Sequence, residues 1–236
     1  MTVLHRAAAL LVVGALALAC SPTGPASADP APRVREPARL TFSTREFVVG
    51  DSLTVGTLYC WRPYPCLPTA MARAGLRLVP SPDARIGRRV DEGLALLAAA
   101  RLRVAGSTVV IALGTNDVLV TGRSAARAWV AAARAALGPD TTFVWVNLRL
   151  TGPRFVHQAA TNAGLLEGVQ ADARAQRAAH RGGRSAVLDW SGYAARTRTP
   201  NGRDGIHYSP EGYQVRAAFY VGTLRGDPAF APYVLT

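Results

Sequence analysis

Short apolar runs alternate with helical patterns along most of this chain, and the alternation constrains its fold more than any other feature. Five runs are predicted strands, at 47–49, 76–79, 108–113, 142–147 and 185–188. Five stretches are predicted helices, at 68–74, 90–102, 124–137, 162–180 and 210–224. Strands and helices in alternation form parallel βαβ units, so we expect an α/β protein with a three-layer α/β/α domain.

The middle predicted strand indicates where a site should lie. Residues 109–113 read Val-Val-Ile-Ala-Leu, without the two-residue period of a half-exposed strand, which is typical of a strand covered on both faces. In sheets of this kind, ligands bind beside the loops at the carboxyl ends of the strands. Functional residues are therefore expected directly after the predicted strands.

The first residues have the character of an export signal. Arg6 precedes an apolar stretch at 7–19, which is too short for a bilayer that needs roughly 20 apolar residues. The small residues Ala26-Ser27-Ala28 predict cleavage at that point, and the alternative is an imperfect lipoprotein box that would anchor the chain through Cys20. In both cases we expect an exported protein, either secreted or held at the cell surface.

Length and composition leave room for one domain after that signal. The chain has 236 residues, of which 49% are hydrophobic and 18% are charged, so it can bury a substantial core. Residues 29–40 are rich in proline and charge, as a linker should be. The predicted organisation is a signal peptide at 1–28, a linker at 29–40 and a domain at 41–236.

Export also bears on Cys60 and Cys66, which bracket the segment Cys-Trp-Arg-Pro-Tyr-Pro-Cys. In an oxidising compartment so close a pair predicts a disulfide rather than a metal site. A metal would need further cysteine or histidine ligands, and none stands nearby in the sequence. We expect no metal and no cofactor.

The formal net charge is +12, and arginine carries all of the cationic charge because the sequence has no lysine. A nucleic-acid binder would gather its arginines in a stripe interleaved with aromatic residues, whereas these are scattered through the predicted helices and loops. Nucleic-acid binding is therefore not expected. The charge favours peripheral association with anionic polymers or lipid headgroups of the cell envelope.

The first predicted strand runs into Gly50-Asp51-Ser52-Leu53. A serine at a strand-to-helix turn exposes its hydroxyl and points its own N–H outward, which suits a nucleophile whose product is an oxyanion. The alternative is that Asp51 or Ser52 only caps the helix.

Two further clusters follow the next two predicted strands. Asn116, in Gly114-Thr115-Asn116-Asp117, either offers its side-chain N–H to a developing negative charge or forms an Asx-turn. Gly87 lets a backbone N–H approach a ligand closely, although glycine opens many loops.

The segment 203–213, Arg-Asp-Gly-Ile-His-Tyr-Ser-Pro-Glu-Gly-Tyr, holds Asp204 and His207 three positions apart. Residues at this spacing on a helical turn face each other, and a carboxylate on Nδ1 holds the histidine tautomer that accepts a serine proton. His157 and His180 lack an acid at turn spacing and are expected on the surface. The alternative for Asp204 is an ordinary Asp-Gly turn beside a polar histidine.

Together the four clusters resemble the SGNH hydrolase superfamily, also called GDSL esterases and lipases, over about residues 45–225. The matching blocks are VVGDSLTVG with Ser52, ARIGRRVDEGL with Gly87, IALGTNDV with Gly114 and Asn116, and DGIHYSPEGY with Asp204 and His207. The last block and the segment LDWSGYA look most like the exported bacterial branch, which includes acyltransferase-associated domains acting on cell-envelope sugars.

This resemblance implies a mechanism and a topology. Ser52 would be the nucleophile, His207 the general base and then acid, and Asp204 the orienting carboxylate. The N–H groups of Ser52 and Gly87 and the side chain of Asn116 would form the oxyanion hole. The implied sheet is flavodoxin-like, with five parallel strands in the order 2-1-3-4-5.

The expected function is that of an exported serine esterase. It would hydrolyse acyl esters, short-chain or acetyl, of a small molecule, glycan or lipid through an acyl-enzyme. One alternative is an O-acyltransferase acting on cell-envelope glycans. Another is a non-catalytic carbohydrate-binding protein with the same fold.

Overall fold

The structure is a computed structural model that describes residues 40–60, 65–79 and 82–236. The predicted signal peptide and nearly all of the predicted linker lie outside the described residues. The described residues fall within one compact unit.

A mostly parallel sheet forms the centre of this unit. The strands are β1 (Arg45–Gly50), β2 (Arg77–Leu78), β3 (Asp83–Ala84), β4 (Thr108–Ala112), β5 (Thr142–Val146), β6 (Ser185–Leu188) and β7 (Val234–Leu235). Their order is β2-β1-β4-β5-β6-β7, and β3 also pairs with β1. Strands β1 to β6 are parallel, whereas β7 is antiparallel to β6.

The predicted strand order is confirmed, with one correction to the strand count. β2 and β3 occupy successive parts of the same edge of β1, where the sequence predicts a single second strand. The sheet therefore has seven strands rather than five, and its last strand is not parallel. Strands of two residues such as β3 and β7 are too short to show an apolar period.

Helices cover both faces of the sheet. They are α1 (Ser52–Leu58), α2 (Leu67–Arg73), α3 (Val90–Ala100), α4 (Arg123–Leu137), α5 (Gln158–Ala178), α6 (Trp190–Arg196) and α7 (Pro210–Leu224), followed by a 3-10 helix at Pro228–Tyr233. The five predicted helices correspond to α2, α3, α4, α5 and α7, within a few residues of their expected bounds. The helix α1 was expected after the serine turn but without bounds, and α6 and the 3-10 helix were not predicted. None of the helices in the described part of the chain has the length and apolar character of a membrane span.

Alternate residues of β1 point into two separate cores, which confirms the three-layer arrangement. Val48 packs with residues of α1, α2, α6 and α7 on one face. Phe47 and Val49 pack with residues of α3, α4 and α5 on the other. The strand side chains at the centre of the sheet are buried on both faces.

A buried ion pair connects α4 and α5, which cover one face of the sheet, to strand β6. Arg134 of α4 donates from Nε and Nη2 to the two carboxylate oxygens of Asp172 of α5, at 2.9 Å each. Ser185, the first residue of β6, donates to Oδ2 of Asp172 at 2.6 Å. The Arg134 and Asp172 side chains are only 13% and 6% exposed, so loss of either would leave a buried charge unpaired.

A third, small apolar cluster lies among the loops at the carboxyl ends of the strands. Val118 follows β4, while Leu148, Leu150 and Phe155 follow β5, and Ile206 packs against them. The cluster joins loops from two strands to the residue directly before His207. It fixes part of the edge where the sequence predicts a site.

Candidate active site

The turn between β1 and α1 presents Ser52 at the edge of the sheet. Asp51, not Ser52, caps α1, because its Oδ1 accepts from the backbone N–H of Leu53 at 2.9 Å. A Cβ on Gly50 would lie only 2.0 Å from Oγ1 of Thr54, so glycine allows the helix to start this close to the strand. The Ser52 hydroxyl is left available for another partner.

That partner is His207. Its Nε2 lies 3.0 Å from Oγ of Ser52, although the two residues are 155 positions apart in the chain. Nδ1 of His207 lies 2.6 Å from Oδ2 of Asp204. The structure therefore brings the three predicted residues into one hydrogen-bonded series.

Asp204 reaches His207 through a turn that precedes α7, and not through a helical turn as the spacing alone would suggest. Its Oδ1 accepts from the backbone N–H groups of Ile206 at 2.9 Å and His207 at 3.0 Å. Gly205 has a φ of +71°, and a Cβ there would lie 1.9 Å from the carbonyl oxygen of Thr151. The Asp-Gly turn and the carboxylate–imidazole pair are thus two parts of one structure.

Hydrogen bonds keep Asp204 ionised. Desolvation alone would raise the pKa of this carboxyl group, but hydrogen bonds from the His207 side chain and from the N–H groups of Ile206 and His207 lower the pKa to about 2. An ionised carboxylate only accepts, so the imidazole proton lies on Nδ1 and the Nε2 lone pair faces the Ser52 hydroxyl. This is the tautomer that a general base requires.

Hydrogen bonds fix the side chain of Tyr208, the residue directly after His207. Nε1 of Trp190 donates to the Tyr208 hydroxyl at 2.7 Å, and that hydroxyl donates to the carbonyl of Arg149 at 2.9 Å. Ser209 then caps α7 through Gly212, and Pro210 is the first helical residue. The fixed residues directly after His207 therefore restrict its position.

Asn116 and Gly87 lie on two loops that are joined to each other. β3 pairs with the end of β1, so the loop that carries Gly87 starts beside the serine turn. Nδ2 of Asn116 donates to the carbonyl of Arg88, the residue after Gly87, at 2.9 Å. A primary amide carries two N–H donors, so the second N–H of Asn116 can serve a ligand.

Asp117 fastens the same two loops at a second point. Its Oδ2 accepts from the N–H of Val90, the first residue of α3, at 3.1 Å, and its Oδ1 lies 3.3 Å from Nη2 of Arg89. Burial raises the pKa of the Asp117 carboxyl group. In the sequence Asp117 stands out only as the last member of the cluster 114–117, and its contact with α3 was not predicted.

A buried arginine lies behind the serine turn. Arg216 of α7 is 3% exposed, and its guanidinium carbon is 5.1 Å from the centre of the Trp190 ring, 5.2 Å from Tyr220 and 5.9 Å from Tyr208. Burial raises the pKa of Asp51, while hydrogen bonds to Thr115 and Leu53 and the charge of Arg216 oppose this. Sequence reasoning missed Arg216, because an arginine between apolar helix residues has the pattern of a solvated position.

Three further features are the surface histidines, the cysteine pair and the possibility of a metal site. His157 and His180 are exposed, as expected. Cys60 and Cys66 form the predicted disulfide. Within the described residues, no group of three or more His, Cys, Asp or Glu side chains could hold a metal ion.

Two cavities differ in their relation to the triad residues. One of about 430 Å³ lies beside Asp204, between the loops 151–154 and 202–205, and Nη2 of Arg154 donates to the Asp204 carbonyl at 2.8 Å. A larger one of about 990 Å³ lies along α4 and α5 and is lined by none of the candidate site residues. Of these two cavities, the smaller one adjoins Asp204.

A serine, a histidine and a carboxylate thus lie in hydrogen-bonded series at the edge of the sheet where the parallel strands end, which is the arrangement of residues that serine hydrolases use. The comparison with protein families is consistent with this class. The chain belongs to the GDSL-like Lipase/Acylhydrolase family, whose sequence model matches residues 48–215. This confirms the resemblance to SGNH hydrolases, whose members are esterases and acylhydrolases. No curated protein matches the sequence.

Solved structures share the fold at low sequence identity. A carbohydrate esterase family 3 protein from Talaromyces cellulolyticus is 22% identical with a TM-score of 0.57, over 76% of this chain and 95% of that chain. A lipase/acylhydrolase from Enterococcus faecalis is 20% identical with a TM-score of 0.54, over 77% and 96%. The C-terminal catalytic domain of peptidoglycan O-acetyltransferase A from Streptococcus pneumoniae is 13% identical with a TM-score of 0.52, over 83% and 99%.

Proposed function

We propose that this protein is an exported serine esterase that hydrolyses short acyl or acetyl esters through Ser52, His207 and Asp204. The observation that carries the proposal is the series of two contacts, 3.0 Å from Ser52 Oγ to His207 Nε2 and 2.6 Å from His207 Nδ1 to Asp204 Oδ2. Membership of a family of acylhydrolases supports the same chemistry.

Acylation begins at the Ser52 hydroxyl. Oγ forms a bond to the ester carbonyl carbon while its proton passes to Nε2 of His207. Asp204 stays ionised and stabilises the imidazolium that results. The tetrahedral intermediate collapses when Nε2 returns the proton to the leaving alcohol oxygen, which breaks the ester bond and leaves an acyl group on Ser52.

Three donors would stabilise the oxyanion. These are the backbone N–H groups of Ser52 and Gly87 and the free side-chain N–H of Asn116. The loop with Gly87 follows a strand paired to the end of β1, and Asn116 is bound to that loop, which supports this assignment. Donors set before the reaction stabilise developing charge without a reorganisation cost.

Deacylation reverses these roles with water. Nε2 of His207 takes a proton from water, and the hydroxide oxygen bonds to the acyl carbon. The intermediate then releases the carboxylic acid as Nε2 returns the proton to Oγ of Ser52.

The open surroundings of the triad favour a short acyl group on a polar carrier. The side chains of His207 and Asp204 are 45% and 43% exposed, so the histidine side of the site faces solvent. The lining of the cavity beside Asp204 includes two arginines, Arg154 and Arg203, and no large aliphatic or aromatic side chain. These features suit a small ester carried on a sugar or a comparable polar molecule.

The test is a series of 4-nitrophenyl esters with acyl chains of increasing length. We expect the highest kcat/KM with acetate, and we expect Ser52→Ala to lower kcat on the order of a millionfold, as in other serine triads. Ser124→Ala, which removes an exposed serine of α4, is the matched control and should keep full activity. Full esterase activity in Ser52→Ala would refute the proposal.

The same preparation separates hydrolysis from transfer and from binding alone. A fluorophosphonate should label the wild-type protein on Ser52 and leave Ser52→Ala unlabelled, whereas a non-catalytic binding protein would not react. Addition of a glycan acceptor should leave free acid as the main product. Acylated glycan as the main product would instead indicate an O-acyltransferase.

Export is a separate part of the proposal. The apolar stretch at 7–19 and the disulfide between Cys60 and Cys66 support it, because disulfides persist in oxidising compartments. Mass spectrometry of the mature protein should find a chain that starts at Asp29, in the secreted fraction. A chain that starts at an acylated Cys20 would indicate a lipoprotein, and an uncleaved chain in the cytosol would contradict export. The net charge of +12 supports peripheral association with the anionic envelope, which salt should weaken.

A further inference from the structure

Arg88 is buried next to the serine turn although it carries a charge. The residue is 7% exposed. Its Nη2 donates to Oδ1 of Asp83 at 2.6 Å, and its Nη1 donates to the carbonyls of Asp83 at 2.5 Å and Gly50 at 3.4 Å. A buried guanidinium is costly unless it is paired and hydrogen-bonded, and these contacts meet that requirement.

The contacts of Arg88 join all three parts of the proposed oxyanion hole. Its guanidinium binds the carbonyl of Gly50, two positions before Ser52, and the strand residue Asp83. Its own carbonyl accepts the side-chain N–H of Asn116 at 2.9 Å. Gly87 is its direct neighbour in the chain, so one residue connects the serine turn, the glycine loop and the asparagine.

Gly87 depends on its neighbours for its position. It is exposed, its φ is +77°, and a Cβ built on it would meet nothing within 4 Å. Because Gly87 has no side chain that could fix it, the direction of its N–H is set by the backbone of the residues on either side. Arg88 is the buried one of these, whereas Ile86 is 72% exposed.

We propose that Arg88 is a positioning residue for the two oxyanion donors Gly87 and Asn116. It acts through its contacts and does not itself touch the reacting atoms. The inference rests on the proposed esterase function. Its physical basis is that an oxyanion donor is effective only when it is held at hydrogen-bond distance from the position of the developing charge.

The neighbouring Arg85 provides a matched control. Its side chain lies on the same loop but is 56% exposed, and its Nη2 pairs with Glu92 at 2.5 Å on the surface. Arg85→Met removes the same charge and a similar length of side chain as Arg88→Met. It leaves unchanged the guanidinium contacts to Gly50 and Asp83 that Arg88→Met removes.

The experiment is a double-mutant cycle of Arg88→Met and Asn116→Ala, with 4-nitrophenyl acetate as substrate. We expect Arg88→Met to lower kcat by about tenfold to a hundredfold with little change in KM, because donors of this kind act on the transition state. The double variant should lose clearly less than the product of the two single losses, since both changes affect the same donor. Arg85→Met should keep the wild-type kcat.

Two results would overturn the inference. One is a folded Arg88→Met protein with wild-type kcat, and the other is a double variant whose loss equals the product of the single losses. If Arg88 had a purely structural role, Arg88→Met would lower the melting temperature and the fraction of Ser52 that the fluorophosphonate labels. The fall in kcat with little change in KM would then be absent.

Further variants keep the test decisive if Arg88→Met does not fold. Arg88→Lys keeps the charge but lacks the planar guanidinium that binds both Asp83 and Gly50. Asp83→Asn removes the ionic partner of Arg88, and the side chain of Asp83 is 40% exposed. Both should lower kcat severalfold, and wild-type kcat in both would refute the role. An inactive wild-type protein whose Ser52 is not labelled would overturn the esterase proposal and this inference with it. That result is distinct from a loss of activity confined to the Arg88 variants.

Discussion

Glu46 provides a prediction whose size can be worked from the structure. This residue of β1 is 0% exposed, and both of its carboxylate oxygens lack a hydrogen-bond partner in the described structure. Desolvation raises its pKa from 4.5 to about 9. At neutral pH the side chain is therefore a neutral acid in the folded protein and an ionised carboxylate in the unfolded chain.

The sign and size of its effect on stability follow from linkage. Because the folded pKa is the higher one, the stabilising contribution of protonated Glu46 is complete below about pH 4.5 and is lost as the pH rises through about 9. Each pH unit in that window removes about 1.4 kcal/mol from the free energy of unfolding, or roughly 6 kcal/mol over the whole window.

Glu46→Gln keeps the shape of the side chain and removes the ionisable proton. We expect the free energy of unfolding of the wild type to fall relative to that of the variant as the pH rises. The difference between the two should change by about 1.4 kcal/mol for each pH unit between 5 and 9, in favour of the variant. The measurement is urea unfolding followed by circular dichroism at several pH values in that range. Glu211→Gln is the control, because the pKa of exposed Glu211 is lowered and the group is ionised in both states across this range.

A difference between Glu46→Gln and wild type that stays constant from pH 5 to 9 would refute the reasoning. It would mean that Glu46 is ionised in the folded protein, and hence that water or a partner group stabilises its charge. A slope in the Glu211→Gln control would show that the variants differ for another reason.

Two further predictions concern the triad carboxylate and the buried ion pair. Asp204→Asn should lower kcat by about a thousandfold to ten-thousandfold at neutral pH, because the amide does not hold the required tautomer; a loss below tenfold in steady-state assays would exclude Asp204 as the orienting group. Arg134→Met should lower the free energy of unfolding by about 3–5 kcal/mol, because Asp172 is left as an unpaired buried charge. Arg127→Met, at an exposed position of α4, should change the urea-unfolding free energy by less than about 0.5 kcal/mol.

Local sequence patterns were sufficient for the parts of the fold that are buried on both faces. β4 was predicted because Val109, Val110 and Ile111 have no polar alternation, and a central parallel strand needs none. α7 was predicted with its observed bounds, since Ser209 and Pro210 are a strong start signal for a helix. β7 was not, because two residues at the sheet edge carry too little pattern.

In the candidate site, too, contacts between residues close in the sequence were predictable, whereas the contact between distant residues was not. Asp204 and His207 lie within one turn, so their pairing was predictable from spacing, and Asp51 was one of the two residues expected to cap α1. The contact between Ser52 and His207 joins positions 155 apart. It depends on the order of strands in the sheet and on the loops that the small apolar cluster around Val118 holds together.

The sequence by itself determined the fold class and the residues suited to acyl chemistry, because both are written in short-range patterns of polarity and turn residues, whereas the expected strand order came only from the family resemblance. Only the tertiary structure decided which charged residues are buried, among them Glu46, Arg88 and Arg216. Burial depends on the elements packed around a residue, which come from distant parts of the chain, and a charged residue in a local pattern has the appearance of a solvated one.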